Sequence, residues 1–574
     1  METVEQSQTN PIVRFFSDIT TKKAILIISI LGIIVFGNSL GNGFVIDDIP
    51  QLIEYPAMQQ LSNTGDFFRN AIFVNYTYYK PIFSTLNSLI FTLFGPNPVA
   101  FHSFSIFLHL AVTSLLFLIL GNFFTKPLSL VLSLIYLVHP LNSEVVFYVS
   151  DLQDSLFMLF GLLGLYKMTK AKSVGSLVAV AGLLFLSVLC KETGVLFFLM
   201  ALTYTLLYKR EFFWQLLGVS SFTGLIYLAL RFKVVGFLNL PLNTLIADLD
   251  FSQRLLHIPA ILFFYLKTFI FPLNLSVSWQ WIIDSPDLYN FYLPLLSVLL
   301  VLGLIIYFGF KLYQDHQTTH CQVYIFFSIW LIIGLALHMQ IVPLDATVAD
   351  RWFYFPMVGV IGIIGTLAQA YNLNLSNKYI LTVMVIVLIL LSARTFIRSF
   401  DWRDELTLSL HDAQVAKSHT LEATLSSNLV KLGEFDSAVI HASRALDIYP
   451  GFISYHVLGN AYIYSGDYDQ AIAAYESALI LLQDPRHYED LSFAYLIADY
   501  LSKAERFTEG ALKKNPDSAR LWKNYAIIEY KLGKFAEAKS AAINMFKLDP
   551  GPQFKVLYDA IMGGRQDLKF NLVP

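Results

Sequence analysis

Two adjacent carboxylates, Asp47 and Asp48, follow the first long apolar run of the chain. Charges near such a run are rare here, because 56% of the residues are hydrophobic and only 14% are charged. A charged residue close to a bilayer is costly and therefore indicates a function. A reaction at the membrane surface is one such function, in which either acid would remove a proton from a hydroxyl group. Capping of the next helix is the alternative, since aspartate is also a preferred helix cap.

Further charged groups recur where other apolar runs end. They are Lys80, His139, Glu144, Asp151, Asp154, Lys191, Glu192, Arg231, Lys233, Asp350 and Arg351. A basic residue on the outer side of a membrane needs a negative partner, and a lipid-linked phosphate at the headgroup level is one candidate. Ion pairing within the protein is the alternative, for example Lys191 with Glu192 or Asp350 with Arg351.

Arg351 is the first choice for binding a phosphate, because a guanidinium matches phosphate geometry with two parallel hydrogen bonds. Lys191 and Lys80 are the next choices. The aromatic residues 352–354 that follow Arg351 would form an interfacial belt, or a platform for a sugar or a lipid.

The residue types and net charge indicate which cofactors and partners are compatible with the sequence. Carboxylates suit hard cations, so Asp47, Asp48 and Glu144 are compatible with a divalent metal, but no spacing of metal ligands demands one and no cofactor is certain. The net charge of −3 gives no reason to expect nucleic acid as a partner. Cys190 and Cys321 lie in apolar segments and imply no disulfide framework.

Membrane helices must position these groups. Apolar runs long enough to cross about 30 Å of hydrocarbon recur between Lys23 and Arg394. We predict about eleven spans, near 24–41, 98–121, 128–142, 152–167, 174–190, 192–208, 213–231, 291–310, 322–340, 353–371 and 379–395. The segment 257–275 carries Lys267 within its apolar run and prolines near both ends, so we expect a re-entrant or interfacial element on the outer side.

Basic residues in the short connections set the topology. Lys126, Lys167, Lys170, Lys172, Lys209, Arg210, Lys311 and Lys378 fall on the side of the basic N-terminus. The positive-inside rule makes that side cytoplasmic, together with the N-terminal tail 1–23. We interpret the first apolar run as a retained anchor and not as a removed signal peptide. An odd number of spans then places the acid pair and the C-terminal region outside the cytoplasm.

The C-terminal region, 403–574, repeats itself. Ala438, Ala471, Ala504 and Ala538 recur at intervals of 33 to 34 residues. This period and the small residues at close-contact positions are typical of tetratricopeptide repeats, which are stacked helical hairpins. The stretch from Gln553 to Gly563 is predicted to cap the last repeat. A solenoid of this kind binds a peptide or protein along its concave surface.

The order of these motifs resembles a known family. The residues that carry the resemblance are Asp47-Asp48, Tyr79-Lys80-Pro81 with Asn87, His102 and His109, His139-Pro140 with Glu144, Lys191-Glu192, Asp350 to Pro356, and Arg394 to Glu405 leading into the repeats. Together they resemble the transmembrane and tetratricopeptide-repeat-containing O-mannosyltransferases and their prokaryotic relatives, which are glycosyltransferases of the C fold. Lys80 stands where that family usually has arginine, and Asp350 where glutamate is usual.

The resemblance implies an all-α polytopic enzyme of the cell membrane, with the transferase domain at 24–402 and the repeat domain at 403–574. It would transfer a mannose-like sugar from a polyprenyl-phosphate donor to a protein hydroxyl, or to a glycan acceptor, on the extracytoplasmic face. The implied catalytic residues are Asp47, Asp48 and Glu144, the donor phosphate would contact Arg351, Lys191 and Lys80, and the substrate would contact His139, Glu192, Tyr79 and Asp350.

Two other functions fit the same sequence. A lipid-linked glycan ligase would need the outer basic pocket but could dispense with the acid pair. A membrane-anchored scaffold without catalytic activity would need only the repeats and the spans. Neutral substitutions of Asp47 and Asp48 distinguish the scaffold from the enzyme.

Overall fold

Helices form all of the regular secondary structure in the part of the chain that the structure describes. The computed structural model describes residues 19–71, 78–236, 244–375 and 377–563. No β-strand occurs in those ranges, where Trp279 and Val348 form an isolated antiparallel bridge. The predicted all-α fold class is confirmed.

The chain divides into two compact units. The first comprises Met1–Leu242 and Ile246–Val415, and the second comprises Asn243–Leu245 and Ala416–Pro574. The predicted domain limits at 24–402 and 403–574 stay predictions, and most of the predicted N-terminal tail 1–23 lies outside the described residues.

Most helices of the first unit begin after a polar residue or at proline. Asn97 caps the first turn of one helix by accepting a hydrogen bond from the Val99 backbone N–H at 3.1 Å. The α-helices are α1 (Thr21–Phe36), α2 (Thr64–Phe67), α3 (Pro81–Phe94), α4 (Pro98–Leu120), α5 (Lys126–Val138), α6 (Ser143–Phe147), α7 (Leu152–Lys170), α8 (Val174–Cys190), α9 (Val195–Tyr208), α10 (Phe213–Val235), α11 (Phe251–Ile270), α12 (Leu293–Gln314), α13 (Thr318–Ala336), α14 (Pro356–Ala370), α15 (Lys378–Asp401) and α16 (Glu405–Val415).

Several of these helices have the length and composition of membrane spans. In the described ranges six segments qualify, or seven if α5 and Pro140–Phe147, bent by 55°, form one span. The six are Thr21–Gly41, Pro98–Leu120, Arg210–Val235, Leu288–Gln314, Thr318–Ala336 and Lys378–Asp401. Shorter apolar helices are Pro81–Phe94, Val174–Cys190, Glu192–Tyr208 and Pro356–Ala370. The predicted count of about eleven spans is not confirmed, although a helix lies at each predicted position.

Two helices of the first unit, 14 and 20 residues long, lie where no span was predicted. One is α3. The other is α11, which contains most of the segment 257–275 and begins at a capping box formed by Asp250 and Gln253. It continues through Pro259 without a break. The chain therefore does not reverse within 257–270, and the re-entrant or interfacial position of this segment stays a prediction.

Glycine allows two close approaches that shape the first unit. A Cβ atom added at Gly359 of α14 would lie 2.5 Å from the backbone nitrogen of Leu331, so glycine brings α13 and α14 together. A Cβ atom added at Gly194 would lie 2.5 Å from the carbonyl carbon of Ser187. The turn between α8 and α9, which contains Lys191, is therefore too tight for a larger residue.

The second unit consists of helical hairpins, as predicted for tetratricopeptide repeats. Its α-helices are α17 (His419–Leu432), α18 (Phe435–Ile448), α19 (Phe452–Ser465), α20 (Tyr468–Leu481), α21 (Pro485–Ile497), α22 (Leu501–Lys514), α23 (Ala519–Lys531), α24 (Phe535–Leu548) and α25 (Pro552–Met562). The predicted repeat alanines, such as Ala438 and Ala471, are fully buried between the helices of each hairpin. The last helix, α25, lies at the predicted capping segment and buries Ile561.

The turn inside each hairpin needs a residue in the left-handed region. Gly433, Gly466 and Gly533 fill that position, with φ of 80°, 86° and 76°. In the third hairpin the equivalent residue is Asp499, with φ of 60°. A residue with a Cβ atom pays about 1–2 kcal/mol in this conformation, whereas glycine does not.

We therefore expect Asp499→Gly to raise the free energy of unfolding of the repeats by about 0.5–1 kcal/mol. The ion pair of Asp499 with Lys531, at 2.8 Å, is exposed and contributes little. The measurement is the unfolding midpoint of the purified full chain in detergent. The matched control is Asp447→Gly, which lies inside α18 and should lower stability by a similar amount. Destabilisation by both variants would contradict the argument.

Candidate active site

The acid pair lies in the loop that follows α1. Ile46, just before the pair, has φ of 48°, which is strained for a β-branched residue. Asp48 is fully buried. Its Oδ2 accepts a hydrogen bond from the Val45 backbone N–H at 3.1 Å, and its Oδ1 accepts from the backbone N–H and the hydroxyl of Ser150 at 2.7 and 2.6 Å. Asp48 makes no side-chain cap to the short helix Ile49–Ile53, so the capping alternative is wrong for this residue.

Asp47 differs from its neighbour. Its side chain is open to water although protein surrounds it, which is the environment of a cleft wall. Burial raises the pKa of Asp47 above its ordinary value, and a hydrogen bond from Tyr148 and the charges of Arg351 and Lys80 oppose that rise. The backbone N–H of Asp47 donates to the Tyr148 hydroxyl at 3.1 Å. Of the two acids, only Asp47 presents its carboxylate to solvent.

Arg351 lies near enough to Asp47 for its charge to lower the pKa of that acid, and it is paired with Glu144. The Arg351 backbone N–H donates to Glu144 Oε2 at 2.9 Å, and Arg351 Nη1 forms an ion pair with Glu144 Oε1. The other nitrogens have looser contacts, Nε with Asp151 Oδ2 at 3.6 Å and Nη2 with Asp345 Oδ2 at 3.9 Å. These distances exceed hydrogen-bond length but are within ion-pair distance, so an anion at the Nε–Nη2 edge would compete with Asp151 and Asp345. Neighbouring acids raise the pKa of Arg351, which keeps its charge.

The other predicted cations also have protein neighbours. Lys191 Nζ is bonded to both carboxylate oxygens of Asp154, at 2.8 and 2.6 Å. Lys80 Nζ lies 4.0 Å from the centre of the Tyr78 ring, and burial lowers the pKa of Lys80. Glu192 lies 3.7 Å from Arg231. Ion pairing does occur, but the two pairs given as examples, Lys191 with Glu192 and Asp350 with Arg351, are wrong.

Three predicted substrate-binding residues have partners inside the protein. Tyr79 is fully buried and its hydroxyl donates to the Phe68 carbonyl at 3.3 Å. The His139 ring is stacked on Phe269, with 4.9 Å between ring centres, and its Nε2 is bonded to the Phe269 carbonyl. Asp350 is buried, which raises its pKa to about 7. Direct contact of these residues with a substrate stays a prediction, which this placement does not favour.

Asp350 instead belongs to a buried polar network. Its Oδ2 accepts from the Ser276 backbone N–H at 3.1 Å. The next residue, Val277, donates its N–H to Asp412 Oδ2 at 2.8 Å. Asp412 is paired with the buried Arg398 through two bonds of 2.7 and 3.1 Å. The network links α15 and α16 to the turn that contains Arg351.

A bound metal is not indicated by the geometry. In the described ranges, no three histidine, cysteine or acidic side chains are arranged to hold a metal ion. Cys190 and Cys321 are not paired with each other.

Comparisons with known proteins agree with the motifs. Two tetratricopeptide-repeat models match residues 453–484 and 495–552. The chain is 22% identical over 602 residues to protein O-mannosyl-transferase TMTC3 of Mus musculus, covering 93% of this chain and 64% of that protein. It is 23% identical over 403 residues to protein O-mannosyl-transferase F38B6.6 of Caenorhabditis elegans, covering 67% of this chain and 56% of that protein.

The homologues of this chain are TMTC-family O-mannosyltransferases. The predicted resemblance is confirmed. The chain spans 56% and 64% of the length of the two relatives compared above. Among solved structures, a tetratricopeptide-repeat protein of Thermus thermophilus matches with a TM-score of 0.26 and 18% identity, covering 30% of this chain and 94% of that chain.

Several residues near Asp47 and Arg351 have no role in the predictions from sequence. Tyr148, Ser150 and Asp345 were not singled out, and Asp151 and Asp154 were noted without a role. Four of the five lie between 148 and 154, where α7 begins. A cluster of polar residues at the start of an apolar helix was the signal that could have found them.

The two acids of the pair should respond differently to the same substitution. In Asp48→Asn, the amide NH₂ replaces an acceptor, so it faces either the Val45 N–H or the two Ser150 donors. We expect a loss of about 1–3 kcal/mol of stability. Asp47→Asn should leave stability almost unchanged, because its side chain is open to water. The measurement is the thermal unfolding midpoint of each purified variant, and equal midpoints would contradict the assignment.

Proposed function

We propose that this chain is an integral-membrane O-mannosyltransferase of the glycosyltransferase C type. It transfers mannose from a polyprenyl-phosphate donor to a protein hydroxyl on the extracytoplasmic face of the cell membrane. Residues 24–402 form the transferase domain. The repeat domain, 403–574, lies outside the cytoplasm and binds the acceptor or a protein partner.

One observation supports this proposal above the others. A water-open carboxylate, Asp47, lies close enough to Arg351 and Lys80 for their charges to affect its pKa. A base and two cations in one cleft suit a reaction between a neutral hydroxyl and a phosphate ester. Mannose is proposed as the sugar because the homologues are named O-mannosyl-transferases.

The transfer uses these groups as follows. The acceptor hydroxyl oxygen attacks the anomeric carbon of the mannose, and the bond from that carbon to the phosphate oxygen breaks. The electron pair of that bond leaves with the polyprenyl phosphate. Asp47 takes the hydroxyl proton as the new bond forms. Because the leaving group is already a stable anion, it needs a cation and not a strong acid.

The donor phosphate binds at the Nε–Nη2 edge of Arg351. Glu144 occupies Nη1 and the backbone N–H of Arg351, so it orients the guanidinium and does not contact the sugar. Lys80 supplies a second positive charge. Lys191 contributes less, because Asp154 already accepts two bonds from its ammonium group. Asp48 is a positioning residue, since its carboxylate joins the loop of Asp47 to Ser150.

The test of the base is Asp47→Asn. The amide keeps the size of the side chain but cannot accept the proton, so turnover should fall about 10²–10⁴-fold while donor binding persists. The measurement is mannose transfer from a polyprenyl-phosphate donor by purified protein in detergent. The matched control is Asp66→Asn, an exposed aspartate outside the cleft, which should retain full turnover. Wild-type turnover in Asp47→Asn would end the assignment.

The pH dependence of turnover gives the same test a second readout. Only the ionised carboxylate accepts a proton, so turnover should be lost as the pH falls through the pKa of Asp47. Burial places that pKa above the ordinary aspartate value of 3.8. Asp47→Asn should lack this acidic limb. An unchanged pH profile in the variant would assign the limb to another group.

The test of the phosphate site is Arg351. Arg351→Lys keeps the charge but loses the paired donors, and Arg351→Ala loses both, so donor affinity should fall in that order. About 1.5–3 kcal/mol is at stake for hydrogen bonds to a charged group.

Arg351→Ala also leaves Glu144 buried without its cation, which costs stability by itself. The double variant Glu144→Gln/Arg351→Ala removes that unpaired charge and is the proper control. It should fold better than Arg351→Ala and bind the donor no better. Recovery of donor binding in the double variant would remove Arg351 from the phosphate site.

A further inference from the structure

His338 lies next to the candidate phosphate site and has no role in the function proposed above. It follows the end of α13, and its backbone N–H donates to the Leu335 carbonyl at 2.9 Å. The ring is stacked on Trp352, the residue after Arg351, with 4.9 Å between ring centres and 11° between ring planes. Its exposed fraction is only 9%. The stack on Trp352 therefore fixes the orientation of the His338 ring.

The surroundings of His338 are positive. Burial lowers the pKa of His338 to about 3, and the charges of Lys191 and Arg351 act in the same direction. The ring is therefore neutral at physiological pH and carries one N–H group. These two cations are the charged groups that act on the ring.

One ring nitrogen of His338 is unsatisfied. Nδ1 is buried and has no hydrogen-bond partner among the residues that the structure describes. Buried polar atoms are nearly always bonded, so an orphan atom beside a binding cleft indicates a ligand atom in that place. Lys191 and Arg351 are donors, as the ring N–H is. A single acceptor atom with negative charge would satisfy all three.

We propose that His338 is a further donor-binding residue, whose ring N–H donates a hydrogen bond to an oxygen of the polyprenyl phosphate. The assignment rests on the proposed function, because it takes the donor phosphate to lie beside Arg351. A neutral ring adds a hydrogen bond without adding charge. Stacking on Trp352 fixes the direction of that bond, which helps to orient the phosphate for departure.

The experiment measures the affinity of a polyprenyl monophosphate, without sugar, for the purified full chain in detergent. His338→Phe keeps the stack on Trp352 but has no ring N–H, and should weaken binding about tenfold. His338→Gln has an amide N–H but no aromatic ring, and should bind better than His338→Phe. The matched control is His320→Phe at the opposite end of α13, which should bind as the wild type does.

The outcomes separate this assignment from the proposed function. Wild-type affinity for the monophosphate in a folded His338→Phe variant would overturn the assignment, even if affinity for the sugar-bearing donor fell, because the ring would then contact the sugar. Binding by His338→Phe that equals or exceeds that of His338→Gln would overturn it as well. A wild-type chain that binds neither lipid would instead overturn the proposed function.

Discussion

The buried ion pair between Glu144 and Arg351 constrains the whole candidate site. Glu144 accepts from both the backbone and the side chain of Arg351, so it fixes the peptide and the guanidinium together. The exposed fractions of the two side chains are 2% and 16%. A charge this deeply buried is costly without its partner, so neither residue can move independently. The direction of the Nε–Nη2 edge of the guanidinium, where we propose that the phosphate binds, follows from this pair.

The helices and the charged residues at their ends could be predicted from the sequence, because both are local properties. Apolar runs interrupted by single acids and bases predict helices whose ends are polar, and the structure has them. The pairing of charges could not be predicted, because it depends on contacts between distant segments. Arg351 is paired with Glu144, 207 residues away, and not with its neighbour Asp350.

The two acids of the loop give a second example. Asp47 and Asp48 are adjacent, and sequence alone gave no basis for distinguishing them. The left-handed conformation of Ile46 precedes a turn in which one carboxylate is buried and the other is open to water. Backbone strain of this kind has no compositional signature in a β-branched residue, so only the structure distinguishes the two.

One helix next to the candidate site, α7, does not qualify as a membrane span by composition. The helix α7 has the length to cross a bilayer, but Asp154 in its first turn and two lysines in its last turn make it less apolar. Its apolar face is buried by α4 and α8 instead of by lipid. Hydropathy identifies helices that face lipid, so a count of spans from sequence is least reliable for the helices that form the site.

The network around Asp412 determines where the chain can be divided. Asp412 lies in α16, beyond the end of the predicted transferase domain at residue 402, yet it pairs with Arg398 of α15 and accepts from Val277. A chain cut at residue 402 would remove Asp412, one of the two carboxylate partners of the buried Arg398, and would leave the Val277 N–H without its acceptor. The first compact unit therefore includes α16, which follows its last long helix. A truncation that respects its electrostatics ends no earlier than residue 415.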